Sequence, residues 1–321
     1  YGDHRDLHLS IRRQRQMCIR DSSTYIESFD SDGFTVGSDS WLNRGTDSYV
    51  AWNWKAGGAP TADNSAGAGN VPTAGSVKIN GANSSAALAG SIAATRISAS
   101  TTAGFSIVLF TNNNTAGATI AHGLSSAPEV VFTKLKDNAY SWYTYHIGTD
   151  ATAPEDYSLS LNNTSARSDS DEYWNDTAPT ASLFTLGDEG SNALGSVPVI
   201  SYCFHSVEGY SKIGSYEGNG STDGSFIYTG LKPAYLLIKT TNLTNHQWYV
   251  WDDKREPENT NDKVLYPSNN IAEQGPHADY AIDFLSNGFK IRNASNFDNN
   301  SSGTYIYMAF AESPFKTSRA R

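Results

Sequence analysis

Short runs in which apolar and polar positions alternate recur along the chain, roughly every 10–20 residues. FSIVLF (105–110), EVVFTKL (129–135), SWYTYHI (141–147), YSLSLN (157–162) and VISYCFH (199–205) are the plainest. They are rich in β-branched and aromatic residues and bounded by Gly, Pro, Asn and Asp clusters, the pattern of β-strands between turns. Only SAALAGSIAATRI (85–97) reads as a short helix. Strands at this spacing predict an all-β fold of antiparallel sheets packed as a sandwich, jelly-roll-like.

The pattern also repeats at long range. PEVVFTKLKDNAYSWYTYH (128–146) matches PAYLLIKTTNLTNHQWYVWD (233–252), and SLFTLG…VISYCFHSVEGY (182–210) matches NGFKIR…YIYMAFAESPF (287–315), at an offset of 105–107 residues. SDGFTVG…YVAWNWKAGG (31–58) matches the end of the same unit: Phe34 to Trp54 spans 20 residues, Phe184 to Phe204 spans 20, and Phe289 to Phe310 spans 21. Tandem units of about 105 residues follow, each large enough for its own core. The expected division is 23–58 as the C-terminal part of a truncated first unit, 59–100 as an Ala/Gly/Ser/Asn-rich linker, and 101–208 and 209–321 as two β units.

Residues 1–22, YGDHRDLHLSIRRQRQMCIRDS, match the translation of a transposase-based sequencing-library adapter. They are set aside as non-native. The expectation is then a metagenomic fragment whose own N-terminal sequence before residue 23 is missing. Without the five Arg and three Asp of that segment, 18 Lys and Arg stand against 30 Asp and Glu, a net charge of −12 over 299 residues. Such an acidic chain does not suit nucleic acid or an anionic membrane as partner. Cys203 is the one cysteine outside the segment, in an apolar run where a buried thiol is expected.

Candidate chemistry is sparse. Asp30-Ser-Asp32-Gly33 starts like a calcium loop but lacks the later ligands, and its counterpart is Ser286-Asn287-Gly288. Asp-Gly and Asn-Gly at these places read as type I′ hairpin turns. Asp169, Asp171 and Glu172 read as a solvated acidic loop. Residues 218–224 and 112–117 read as polar hairpin connections, since no Lys-Ser/Thr or helix follows to make a phosphate loop. No nucleophile elbow and no zinc-protease motif occurs, so no catalytic residue, metal or cofactor is assigned. In SWYTYH, Tyr143 and Tyr145 share one face, while Trp142, Thr144 and His146 share the other. Tyr249 and Trp251 oppose Trp248, Val250 and Asp252 in the same way. The first face is expected in the core. The second ends in a polar residue in both runs, so Trp142, His146, Trp248 and Asp252 form the candidate ligand-binding set, with partly exposed indoles stacking on a sugar ring.

YVAWNWKAGG (49–58), TTAGFSIV (101–108), HGLSSAP (122–128), WNDTAPT (174–180), VEGYSKIGSYEGNGSTDG (207–224), DFLSNGFKIR (283–292) and GTYIYMAFAESPF (303–315) together resemble a repeat domain of unknown function frequent in proteins of marine bacteriophages. The resemblance covers residues 29–321. It implies a non-enzymatic, tail-fibre-like virion surface protein, assembled in the host cytoplasm. The partners implied are other virion proteins and a host surface glycan, with a homotrimer by analogy to fibres. It carries no catalytic or binding residues over. A phage-tail glycan depolymerase and a capsid decoration protein are the alternative readings.

Overall fold

The computed structural model describes residues 25–30 and 33–315. The adapter-like segment 1–22 lies outside the described residues, as do Ser31 and Asp32 of the expected first turn.

The chain is all-β and multi-sheeted. It opens with a hairpin of β1 (Ile26–Phe29) and β2 (Phe34–Val36), in which Phe29 pairs with Phe34 and the Asp30 N–H donates to the Gly33 carbonyl at 2.9 Å. The Ala/Gly/Ser-rich stretch then departs from expectation. It is no linker, and residues 85–97 form no helix. β3 (Val77–Ile79), β4 (Ala82–Asn83) and β5 (Arg96–Ser100) extend a large sheet, with β3 parallel to β5. Small side chains permit this close approach: a Cβ on Gly57 would lie 2.2 Å from the Ala99 carbonyl oxygen. Val77, Leu88, Ile97 and Ala99 enter the core from this stretch.

The next strands include the alternating runs, with further strands between them. They are β6 (Phe105–Thr111), β7 (Ala118–Ala121), β8 (Val130–Leu135), β9 (Tyr143–His146), β10 (Tyr157–Ser160) and β11 (Ser168–Asp169). The one-turn helix α1 (Asp171–Trp174) follows, then β12 (Leu183–Leu186) and β13 (Pro198–Phe204). The second half holds β14 (Ser211–Glu217), β15 (Phe226–Tyr228), β16 (Pro233–Thr240), β17 (Tyr249–Asp252), β18 (Ile282–Leu285), β19 (Gly288–Ile291) and β20 (Thr304–Ala311).

Two large sheets result, ordered β11-β10-β9-β8-β13-β6-β5-β3-β4 and β14-β20-β16-β17. Two small ones, β12-β7 and β15-β19-β18, lie outside them. The connections 112–117 and 218–224 are therefore not hairpins, because each carries the chain from a large sheet to a small one. At 286–288 the expected Asn-Gly pair also shifts. Leu285 pairs with Gly288, so Ser286 and Asn287 make the turn and neither has a positive φ. Glycine is needed at 288 for a different reason: a Cβ there would sit 2.1 Å from the Ile227 carbonyl oxygen on the neighbouring strand.

Three cores separate these layers. Val108, Phe110, Val131, Tyr145 and Cys203 point outward from the first large sheet onto Ile120, Phe184 and Leu186 of the β12-β7 sheet. Leu236, Ile238, Tyr249, Trp251 and Tyr305 point outward from the second onto Phe284, Phe289 and Ile291. Between the large sheets, Phe105, Phe132, Tyr202 and Phe204 face Tyr235, Leu237, Trp248, Met308 and Phe310. Each half closes on an outer core of its own, as the length of a unit suggested. The halves also share the central one, because both faces of both large sheets are apolar and each must be covered.

Candidate functional site

The four residues singled out from sequence lie on the shared central side. Trp248 is 2% exposed, and its Nε1 donates to the Ser160 carbonyl of the opposite sheet at 2.9 Å. His146 is buried, with Nε2 at 3.2 Å from the Tyr307 carbonyl while Nδ1 accepts the Gly148 N–H. This is the neutral ring, and burial pulls its pKa down to about 4 against the raising effect of the Tyr307 bond. Asp252, also buried, takes Nε of Arg255 at 2.7 Å and the N–H groups of Lys254 and Arg255. Trp142 is half-buried and stacks on Tyr202, with centroids 6.1 Å apart. Trp142 thus keeps a partly exposed indole while Trp248 does not, and the polar ends of both runs are bonded within the protein. The polar residue closing each run was read as a mark of solvent. It marks instead a polar group satisfied within the protein, His146 across the sheets by the Tyr307 carbonyl and Asp252 locally by Lys254 and Arg255.

Other buried polar side chains also hold chain to chain. Lys239 directs Nζ at the His246 carbonyl at 2.7 Å, and burial lowers its pKa to about 7. Asn192 accepts the N–H groups of Asn113 and Asn114 at 3.2 and 3.1 Å and donates to the Thr115 carbonyl at 2.9 Å. It thereby clamps the 112–117 connection. Burial raises the Asp298 carboxyl to about 7, against the lowering effect of hydrogen bonds from Asn293 and Ser295.

An open surface feature lies elsewhere, at positions the sequence did not bring forward. A cleft of about 360 Å³ is lined by Trp41, Arg44, Asp47 and Tyr49 on one side and Asn270 and Ile271 on the other. Trp41 is 51% and Tyr49 44% exposed. Local turns set this wall: the Trp41 N–H donates to Asp39 Oδ1 at 2.8 Å, and the Arg44 N–H donates to Tyr49 Oη at 3.0 Å. Arg44 and Asp47 form a solvent-facing ion pair at 3.8 Å. Aromatic faces beside a guanidinium, a carboxylate and an amide suit a ligand that is apolar on one side and rich in hydroxyls on the other. The available signal was a pair of aromatics in a polar, turn-rich stretch, SDSWLNRGTDSY (38–49). Its opposite wall comes from far along the chain.

Among the described residues no group of three or more His, Cys, Asp or Glu is placed to hold a metal ion, and no helix is long and apolar enough to cross a membrane. Fold and surface thus define a layered all-β protein with buried polar anchors and an aromatic cleft. The chain belongs to the family described as Domain of unknown function (DUF7483), whose model matches residues 7–80 and 73–314. No curated protein and no solved structure matches it.

Proposed function

We propose that the chain is a non-enzymatic, tail-fibre-like surface protein of a phage virion, built from duplicated β units, that serves as a spacer and contacts a host surface glycan. The observation that carries the glycan contact is the cleft with Trp41 and Tyr49 exposed beside Arg44, Asp47 and Asn270. Its single-site contact is weak, and many copies on one particle multiply it. The phage assignment rests on the motif resemblance. Duplication is supported by the strand orders. β9-β8-β13-β6 and β17-β16-β20-β14 follow the same sequence of places within each half.

The test is binding of the purified protein to a glycan array and to marine bacterial cells, with Trp41→Ala and Tyr49→Ala alongside. Selective binding reduced at least about tenfold in either variant is the expected result, as for loss of one stacking aromatic. Binding unchanged in both, or none by the folded protein, removes the cleft as the receptor site. Release of soluble saccharide from the bound glycan would replace the adhesive reading with that of a depolymerase.

A further inference from the structure

Residues 49–56 behave as a strand without a sheet. Val50, Trp52, Trp54 and Ala56 are half-buried, while Tyr49, Ala51, Asn53 and Lys55 between them are exposed. That is the period of two of an extended strand with one face on a core. Yet among the described residues these eight make no backbone–backbone hydrogen bond. Unpaired strand edges of this kind are templates for further strands.

The buried face of this segment enters the central core. Trp52 meets Tyr235, and Trp54 meets Phe204, Tyr235 and Phe310 edge-on, with centroids 5.3 to 6.4 Å apart. Phe204 and Phe310 also touch each other, at 6.0 Å. By the spacing of the sequence motifs, Trp54, Phe204 and Phe310 occupy one and the same position of the unit. Val50 and Trp52 likewise correspond to Ile200 and Tyr202 and to Ile306 and Met308, all of which line the central core. Three equivalent strand faces therefore meet in one cluster. Two of them are centres of sheets: β13 lies between β6 and β8, and β20 lies between β14 and β16. The third pairs with no strand among the described residues. The indole N–H of Trp52 is buried there with no hydrogen-bond partner among the described residues.

We propose that the central core is three-sided, and that residues 49–56 are the middle strand of a third sheet whose flanking strands come from the first part of a unit of the same kind. Those flanking strands are the counterparts of β6 and β8, and pairing with them satisfies the open backbone on both edges.

Hydrogen exchange tests this in the full chain. Alone, the amides of residues 51–55 exchange within about tenfold of unstructured rates, although Trp52 and Trp54 are shielded from a collisional quencher. Protection of these amides in the unextended chain, by self-pairing or otherwise, overturns the proposal. In a fusion that places residues 101–180 ahead of residue 31, the same amides slow by about a hundredfold or more. A second arm does not depend on that fusion folding. A synthetic peptide of residues 104–111 added to the full chain protects residues 51–55, and the same peptide with Ile107→Asp does not. Lack of protection in both the fusion and the peptide arms overturns the proposal.

Discussion

Asn299 and Asn219 hold each other across the end of the second large sheet: the Asn219 N–H donates to Asn299 Oδ1 at 2.9 Å, and Asn299 Nδ2 donates to Asn219 Oδ1 at 3.0 Å. The same Nδ2 also serves the Ser221 and Asn293 carbonyls. One buried amide thus fixes the connection that carries the chain from β14 to β15, as Asn192 does between β6 and β7. Truncating Asn299 to Ala leaves the buried Asn293 carbonyl and the part-buried Asn219 N–H and Ser221 carbonyl without this partner. Asn299→Ala and Asn192→Ala should each lower stability by about 3 kcal/mol, read from denaturant unfolding. A change below about 0.5 kcal/mol would show that these connections find other partners.

Trp248 ties the two large sheets together through Ser160. Trp248→Phe keeps most of the apolar area but leaves the Ser160 carbonyl without this donor. A loss of about 1–2 kcal/mol is expected, against about 3–5 kcal/mol for Trp248→Ala. Thermal and denaturant unfolding measure both. Equal effects of the two substitutions would mean that the hydrogen bond, not the ring, carries the contribution.

Asp298 gives a dependence on pH with a definite sign. Folded, it keeps its proton to about pH 7, whereas an ordinary aspartate carboxyl loses it near 3.8. The folded state therefore binds more protons in that window. The stability this contributes is present below pH 4 and is lost as pH rises through 7. His146, lowered from 6.5 to about 4, acts the opposite way, with stability lost as pH falls through 6.5 toward 4. The Asp298→Asn variant should gain stability relative to the parent between pH 4 and pH 8. Unfolding curves at the two ends check it; a constant difference would show that Asp298 titrates normally in the fold.

Cys203 faces the outer core of the first large sheet, and burial pushes its thiol up to about 12. It should resist a thiol reagent in the folded protein at pH 8 and label only at the rate of opening of β13. Labelling of Cys203, told apart from Cys18 by peptide mapping, within the mixing time of a native sample would show that the central strand of this sheet opens readily.

Much of the architecture was legible in local pattern. The runs at 105–110, 129–135 and 199–205 became β6, β8 and β13 within a residue or so, because alternation and flanking turn residues act over a few positions. Alternation could not say what covers each face. It assigned Tyr143 and Tyr145 to the core and Trp142 and His146 to a wetter side, whereas the strand is covered on both faces. The Ala/Ser-rich residues of 77–100 carried too weak an apolar signal to be read as strands, and they pair only because the β6 edge is there to receive them. The cleft joins Trp41 and Tyr49 to Asn270 and Ile271 by folding alone. By itself, then, the sequence determined where the strands with a strong apolar signal begin and end, since propensity and turn chemistry are local. The tertiary structure decided which faces meet and which polar ends are satisfied inside. It also decided which aromatics remain at the surface. Those outcomes depend on contacts between residues far apart in the chain, which no local period encodes.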